Sequence, residues 1–429
     1  MQWTVNSERG LKLPLNSNCR ESIVGTGSRK NLFILSFTLV VVTLGFGLVM
    51  PIIPFYMEEL GAGGTELGLL VASYAVMRLI FGPVWGSLSD RVGRKPILLI
   101  GILGYGITMV GFGLATQLWM MFVARMLSGV LSSATSPTTM AYISDSTSEE
   151  ERGGGMGLLG AAAGLGTIFG PALGGLLAKY SLSTPFFAAA GLSLMAMVLI
   201  VLFLPESLNK EARAEEENAG TADQPILNLG AWRDALFSPI GSLLALAFFA
   251  TAGTMTFYGI LGLYALDRFG YGTEQVGLIF TVLGLVTVIS QGMIVGPFTK
   301  RYGDLKMIKA GFLLSAVCLM GVMLADRYAF LLLAIAFFSL FSAVLIPTIT
   351  SLTSKRTTMS QGVTMGLNNS FISLGRIAGP LLGGFVFDFH WGLPFAGGAL
   401  FMLAGLLVSL GSSSLSDQPA PLHALSRHH

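Results

Sequence analysis

The residues with distinctive chemistry in this sequence are charged groups set in unusually apolar surroundings. Asp90-Arg91-Val-Gly93-Arg94-Lys95 places a carboxylate, a turn glycine and three cations within six positions. That grouping ends a helix in an ion-pairing turn, with a glycine free to take positive φ, and it contains no nucleophile. Arg78, Arg125 and Arg376 lie inside long apolar runs. A guanidinium there keeps its charge, so each is expected to face a water-filled cavity, a helix C-terminus or a carboxylate from the end of a run. Glu58, Glu59 and Asp388 are the end-of-run carboxylates, and none of the 23 acids falls near the middle of any run. Asp90, Asp145, Glu58, Glu59 and Asp388 are carboxylates near the ends of the runs and groups there that could exchange a proton. Of four histidines, His423, His428 and His429 lie in a polar tail and only His390 is elsewhere. Neither a metal cluster nor a His-based triad can be assembled from them, so no catalytic residue, metal site or cofactor is expected and the chain does not read as an enzyme.

The elements that must position these residues are membrane helices. The 429 residues are 53% hydrophobic and 11% charged, with mean hydropathy +0.72, where soluble domains carry about 25% charged residues. A net charge of +2 offers no basic stripe for nucleic acid. Cys19 and Cys318 are too few and too differently placed for a disulfide framework. Crossing the hydrocarbon core takes about 20 apolar residues, and that ruler places spans at 32–56, 66–88, 96–115, 118–143, 153–178, 185–204, 239–264, 274–298, 306–325, 328–350, 361–387 and 392–412. Of the 25 Lys and Arg, 19 then fall on one side and three (Lys179, Arg268 and Arg327) on the other, with three inside spans. The positive-inside rule predicts an even number of spans and two cytoplasmic termini.

The expected organisation is a cytoplasmic tail at 1–31, a six-helix bundle at 32–204, a cytoplasmic linker at 205–238 carrying Glu215, Glu216 and Glu217, a second bundle at 239–412 and a tail at 413–429. An internal repeat supports this division. Gly86, Gly93 and Pro137 recur 210 residues on as Gly296, Gly303 and Pro347, while Gly170-Pro171, Gly174-Gly175 and Pro185-Phe186 recur 209 residues on as Gly379-Pro380, Gly383-Gly384 and Pro394-Phe395. The fold class read from these features is an all-α membrane protein of twelve transmembrane helices in two six-helix repeats. Parallel repeats of that kind are a transporter plan, with substrate bound near the midplane between the halves.

Gly86-Ser-Leu-Ser-Asp90-Arg91-Val-Gly93-Arg94-Lys95 resembles the signature loop of the major facilitator superfamily, and Gly296-Pro-Phe-Thr-Lys300-Arg301-Tyr-Gly303 is its degenerate echo. The resemblance implies that Asp90 engages the N-terminal dipole of a helix in the other half when the outward-facing state forms, and that Arg94 pairs with Asp145. Arg125-Met-Leu-Ser-Gly129 is similar to the family's second motif, whose buried arginine is linked to proton transfer. Gly166-Thr-Ile-Phe-Gly170-Pro171-Ala-Leu-Gly174-Gly175 resembles the string that marks the drug:proton antiporter branches, and Leu44 to Pro54 is similar to the first span of bacterial multidrug and tetracycline exporters with twelve helices. Relatives with carboxylates in spans one, seven or ten use them for cationic drugs and protons; residues such as Tyr258 and Ala343 stand nearest those positions here.

Helices one, two, seven, ten and eleven line the cavity in that fold. They carry the candidate substrate contacts Phe46, Met50, Tyr74, Arg78, Phe257, Tyr258, Phe341, Asn369, Phe371 and Arg376, with Asn368 and Gln291 as ligand contacts or interhelical bonds. With no acid at depth, the cavity is expected to favour neutral, zwitterionic or anionic amphiphiles. The leading expectation is proton-coupled export of drug-like molecules by a bacterial, monomeric, multi-pass protein of the cell membrane, whose partners are substrate, protons and the lipid bilayer. The alternative is a uniporter or symporter for a small metabolite such as a sugar or organic anion.

Overall fold

A computed structural model of the chain describes residues 17–146, 149–207, 240–357 and 359–411. The linker residues Lys210, Arg213, Glu215, Glu216, Glu217 and Arg233 and the tail residues Arg9, Lys12, His423, Arg427, His428 and His429 lie outside these. Twelve helices among the described residues are long and apolar enough to cross a membrane. Spans one to six are Leu32–Val49, Gly64–Val92, Arg94–Gly113, Leu118–Asp145, Gly157–Leu177 and Thr184–Phe203. Spans seven to twelve are Gly241–Phe269, Thr273–Tyr302, Asp304–Met323, Tyr328–Arg356, Gln361–Phe387 and Leu393–Gly411. Large apolar side chains such as Ile107, Phe169, Leu202, Val317 and Leu400 are exposed, as bilayer-facing positions require.

Three spans depart from simple hydropathy expectations, each for a backbone reason. The first helix begins at Ser17, well inside the stretch expected to be tail, and runs to Val49. Beyond it the chain turns at Met50, Pro51 and Ile52 and resumes as Ile53–Glu59. Pro51 has no N–H for a continuing helix, whereas Pro54 is tolerated in the first turn of the new one. Span four is interrupted between the helices Leu118–Ser132 and Thr135–Ser146. Span eight contains a π turn over Ser290–Ile294, just before Pro297 removes another backbone donor.

The repeat is visible in ion pairs as well as in glycines. In the first half Arg94 donates from Nε to Asp145 at 3.0 Å; in the second, Lys355 Nζ lies 2.8 Å from Asp304 Oδ2. Both positions of the second pair stand 210 residues after those of the first, with the signs exchanged. Each pair follows a positive-φ glycine, Gly93 at 118° and Gly303 at 84°. Such φ values are accessible to glycine and strained for other residues.

The halves meet along two seams. Spans two and eleven approach so closely that a Cβ on Gly68 would strike the Pro380 carbonyl and stand 3.1 Å from Gly384 Cα. At the pseudo-equivalent place, a Cβ on Gly277 of span eight would lie 2.6 Å from the Pro171 carbonyl and 3.1 Å from Gly175 Cα of span five. Toward the other end the contact is lost: Gly86, Gly154, Gly157, Gly160, Gly296, Gly362 and Gly366 would meet nothing within 4 Å. The halves are thus sealed at the end carrying Asp388 and Thr273, and apart at the end carrying Asp90 and Arg94.

Candidate functional site

The opening between the halves ends on a cluster built around Tyr74. Its hydroxyl is 3.1 Å from Ser132 Oγ of span four. Arg125 stacks over its ring at 4.6 Å and Arg78 lies 5.7 Å from the ring centroid. Two cations thus lie within cation–π distance of one electron-rich ring. Arg125 is 2% exposed, and neither its Nε nor its Nη2 has a hydrogen-bond partner. Arg376, on span eleven, is exposed and within coulombic reach of both Arg78 and Tyr74. No ion pair joins Arg78, Arg125 or Arg376 to a carboxylate among the described residues. The expectation that Glu58, Glu59 or Asp388 serves them fails for a geometric reason, because Asp388 is engaged elsewhere and the two glutamates are exposed at the sealed end.

Asp388 accepts hydrogen bonds from the backbone N–H of Gly64 at 2.8 Å and of Thr65 at 3.0 Å, and from the Thr65 hydroxyl. It caps the N-terminus of span two from the opposite half, where an anion complements the helix dipole. Lys179 pairs with Glu274 at the matching end of the second seam. Both contacts join residues about 95 to 325 positions apart in the chain, which hides them from local sequence patterns.

At the open end Arg94 is buried and donates to Asp145, to Ser89 Oγ at 2.7 Å and to Asp90. Gly93 caps the next helix, and Glu206 accepts from the backbone N–H of Arg94 at 2.8 Å and of Lys95 at 3.1 Å. Sequence reading passed over Glu206; its place immediately after the last apolar residues of span six was the available signal. Asp90 is exposed and paired within its own half, as the separation of the halves at that end requires. Gly86 faces open space.

The glycine string of span five serves two neighbours. Gly166, Gly170 and Gly174 lie against span one, where a Cβ on Gly170 would stand 2.7 Å from Gly47 Cα. Gly175 faces span eight instead, and Pro171 meets both, its ring against Gly47 of span one and its carbonyl against Gly277 of span eight. Residues four apart share a helix face, so one string builds both a bundle core and half of a seam.

Phe46, 39% exposed, lies beside Tyr74 at 6.2 Å between ring centroids. Met50, Tyr258 and Phe341 are half-buried, Tyr258 beside Phe257 at 5.5 Å and Phe341 stacked on Phe337 at 6.3 Å. Asn369 is exposed. Two other aromatics are packing and do not line the opening: Phe257 is wholly buried against Phe338 at 4.8 Å, and Phe371 is buried with Ile240, Leu244 and Leu367. Asn368 is likewise structural, donating to Thr350 Oγ1 at 3.0 Å, and Gln291 Nε2 reaches the Ala343 carbonyl at 3.5 Å. Among the described residues no three His, Cys, Asp or Glu side chains form a metal-binding group.

A sequence profile of the Major Facilitator Superfamily matches residues 35–325 and 243–426. The chain belongs to this superfamily. Multidrug resistance protein 2 of Bacillus subtilis is 30% identical over 397 residues, 92% of this chain and 98% of its own length. Quinolone resistance protein NorA of Staphylococcus aureus is 28% identical over 382 residues, 89% of this chain and 96% of its own. Among solved structures, a bacterial homologue of the human lysosomal transporter Spinster in an inward-facing and occupied conformation has TM-score 0.73 at 14% identity, over 91% of this chain and 98% of that one. This major facilitator is a multi-pass membrane transporter and not an enzyme.

Proposed function

We propose that this major facilitator exports amphiphilic, drug-like molecules from the cytoplasm, exchanging each for inward-moving protons as the two halves rock about the Tyr74 cluster. The observation that carries the reading is the asymmetry of the seams. Backbone contacts through Gly68, Pro380 and Gly384, and through Pro171, Gly175 and Gly277, seal one end while the glycines at the other end meet nothing. In this assignment the Asp90 end is cytoplasmic, since the basic loops lie on that side, and the structure is open to the cytoplasm. Similarity to multidrug resistance protein 2 and to NorA supports drug-like substrates.

The coupling proton is assigned to carboxylates at the span ends. Among Asp90, Asp145, Glu58, Glu59 and Asp388, it is Asp388 whose hydrogen-bond partners lie wholly on the opposite half. As an ion it accepts the bonds that hold the Asp388 end shut; protonation from the outside weakens them and favours opening there. A fluorescent fluoroquinolone, followed in inside-out vesicles under an imposed pH gradient, tests the reading. The expected result is accumulation that collapses with the gradient. Accumulation indifferent to the gradient would leave a uniporter, and none with any drug-like substrate would leave a metabolite carrier.

A further inference from the structure

The closed end of the opening presents cations to a ligand and no carboxylate. We propose that it is an anion site, in which the carboxylate of an exported aromatic acid or zwitterion bridges Arg78 of one half and Arg376 of the other. The proposal rests on the export reading and gives it a substrate class.

The cluster divides into groups that position and groups that bind. Arg125 is sealed behind Tyr74 and has no route to a ligand; with Ser132 it holds the Tyr74 ring in place. Arg78 is half-buried and Arg376 exposed, and each lies in the other's field. Pro380 is a seam contact of span eleven, against Gly68, and Arg376 stands one helical turn further toward the opening. Ser373 and Asn369 follow on the same face at helical spacing, half-buried and exposed respectively. Phe46, next to Tyr74, adds an accessible aromatic surface for the body of the ligand.

Two guanidiniums without carboxylate partners repel one another, and closing the halves around them adds a desolvation cost. A carboxylate between them relieves both costs, because each planar fork can donate two parallel hydrogen bonds to it. Since one arginine belongs to each half, neutralisation also removes a repulsion that resists their approach. Binding an anion thereby favours closing at the Asp90 end, while a permanent cation of the same size meets only repulsion. A ligand shifts an equilibrium only by its differential affinity for the two states, and this bridge supplies such a difference.

The test uses purified protein in nanodiscs with three probes sharing one ring system: 1-naphthoate, its methyl ester, and (1-naphthylmethyl)trimethylammonium. Equilibrium binding is measured by calorimetry without any proton gradient. The expected order is carboxylate, then ester, then cation. Arg376→Gln and Arg78→Gln should each weaken naphthoate binding by about 10- to 100-fold, the loss typical of charged hydrogen bonds, and leave the ester within about twofold. Retained ester binding reports an intact fold, and Arg376→Lys should retain part of the naphthoate affinity. Equal affinity for naphthoate and ester, or the same losses for both probes in the glutamine variants, overturns the anion site. Naphthoate discrimination without fluoroquinolone movement in vesicles would instead sink the export reading and leave the site standing, and proton-coupled export without discrimination would do the reverse.

Discussion

Gly175→Ala separates a conformational seam from ordinary helix packing. The added methyl would lie 2.5 Å from the Thr273 carbonyl oxygen and 3.2 Å from Gly277 Cα. Carbon makes comfortable contact with such atoms at about 3.5 Å, so spans five and eight must part by about 1 Å at this point. The obstructing atoms are backbone and have no rotamer through which to yield. Overpacking of this kind costs about 1–3 kcal/mol. The cost falls only on the state sealed at the Asp388 end, so the ratio of that state to its alternative should fall by about 5- to 150-fold. Gly170→Ala is the control. Its methyl would lie 2.7 Å from Gly47 Cα within one half, so it lowers stability in both states and leaves their ratio nearly unchanged. With Cys19 and Cys318 replaced by serine, Asn369→Cys is an accessible reporter. Impermeant maleimide is applied from each membrane face, and the ratio of the two labelling rates reports the conformational equilibrium. Gly175→Ala should shift labelling toward the Asp388 side. An unchanged ratio in folded Gly175→Ala, or an equal shift in Gly170→Ala, would refute the seam account.

Asp388→Asn keeps one acceptor for the span-two N-terminus but loses the charge, so the Asp388 end should open more readily, read as faster maleimide labelling from that side. Glu206→Gln weakens the cap on Arg94 and Lys95 and should cost about 1 kcal/mol, read as a lower midpoint for thermal aggregation. Lys355→Glu leaves the Asp304 carboxylate facing a like charge and should lower stability by up to about 1 kcal/mol, the exposure of Lys355 limiting the effect. Restoration by the double change Asp304→Lys with Lys355→Glu would identify the loss as electrostatic.

Hydropathy and repeat spacing were sufficient for the span count because a bilayer imposes one length on every crossing helix. The same spacing held the exchanged pairs Arg94–Asp145 and Asp304–Lys355, legible only when charges as well as glycines are compared at an offset of 210. Seam contacts were less accessible. That Gly175 faces span eight while Gly174 faces Leu48 depends on helix rotation within a bundle, and apolar periodicity is weak where both lipid and protein are greasy. Phe257 and Phe371 failed as cavity residues for the same reason, since an aromatic in a membrane helix has no solvent preference to reveal which way it points. The break at Pro51 could be anticipated from proline chemistry, whereas extension of the first helix back to Ser17 crosses a polar stretch with no membrane signal. Glu206 and Asp388 stand at span ends in the sequence, but the long-range caps they make are properties of assembly, and their partners cannot be read from local pattern.

The central claim is exchange of drug for protons, and substrate-triggered proton movement tests it most directly. Inside-out vesicles containing the protein and a pH-sensitive dye are energised, then given quinolones, tetracyclines and phenicols in turn. The account predicts proton release on addition of a substrate, abolished by Asp388→Asn, which removes the carboxylate assigned the coupling proton. Substrate accumulation with no proton release, in vesicles whose protein is correctly inserted, would contradict it.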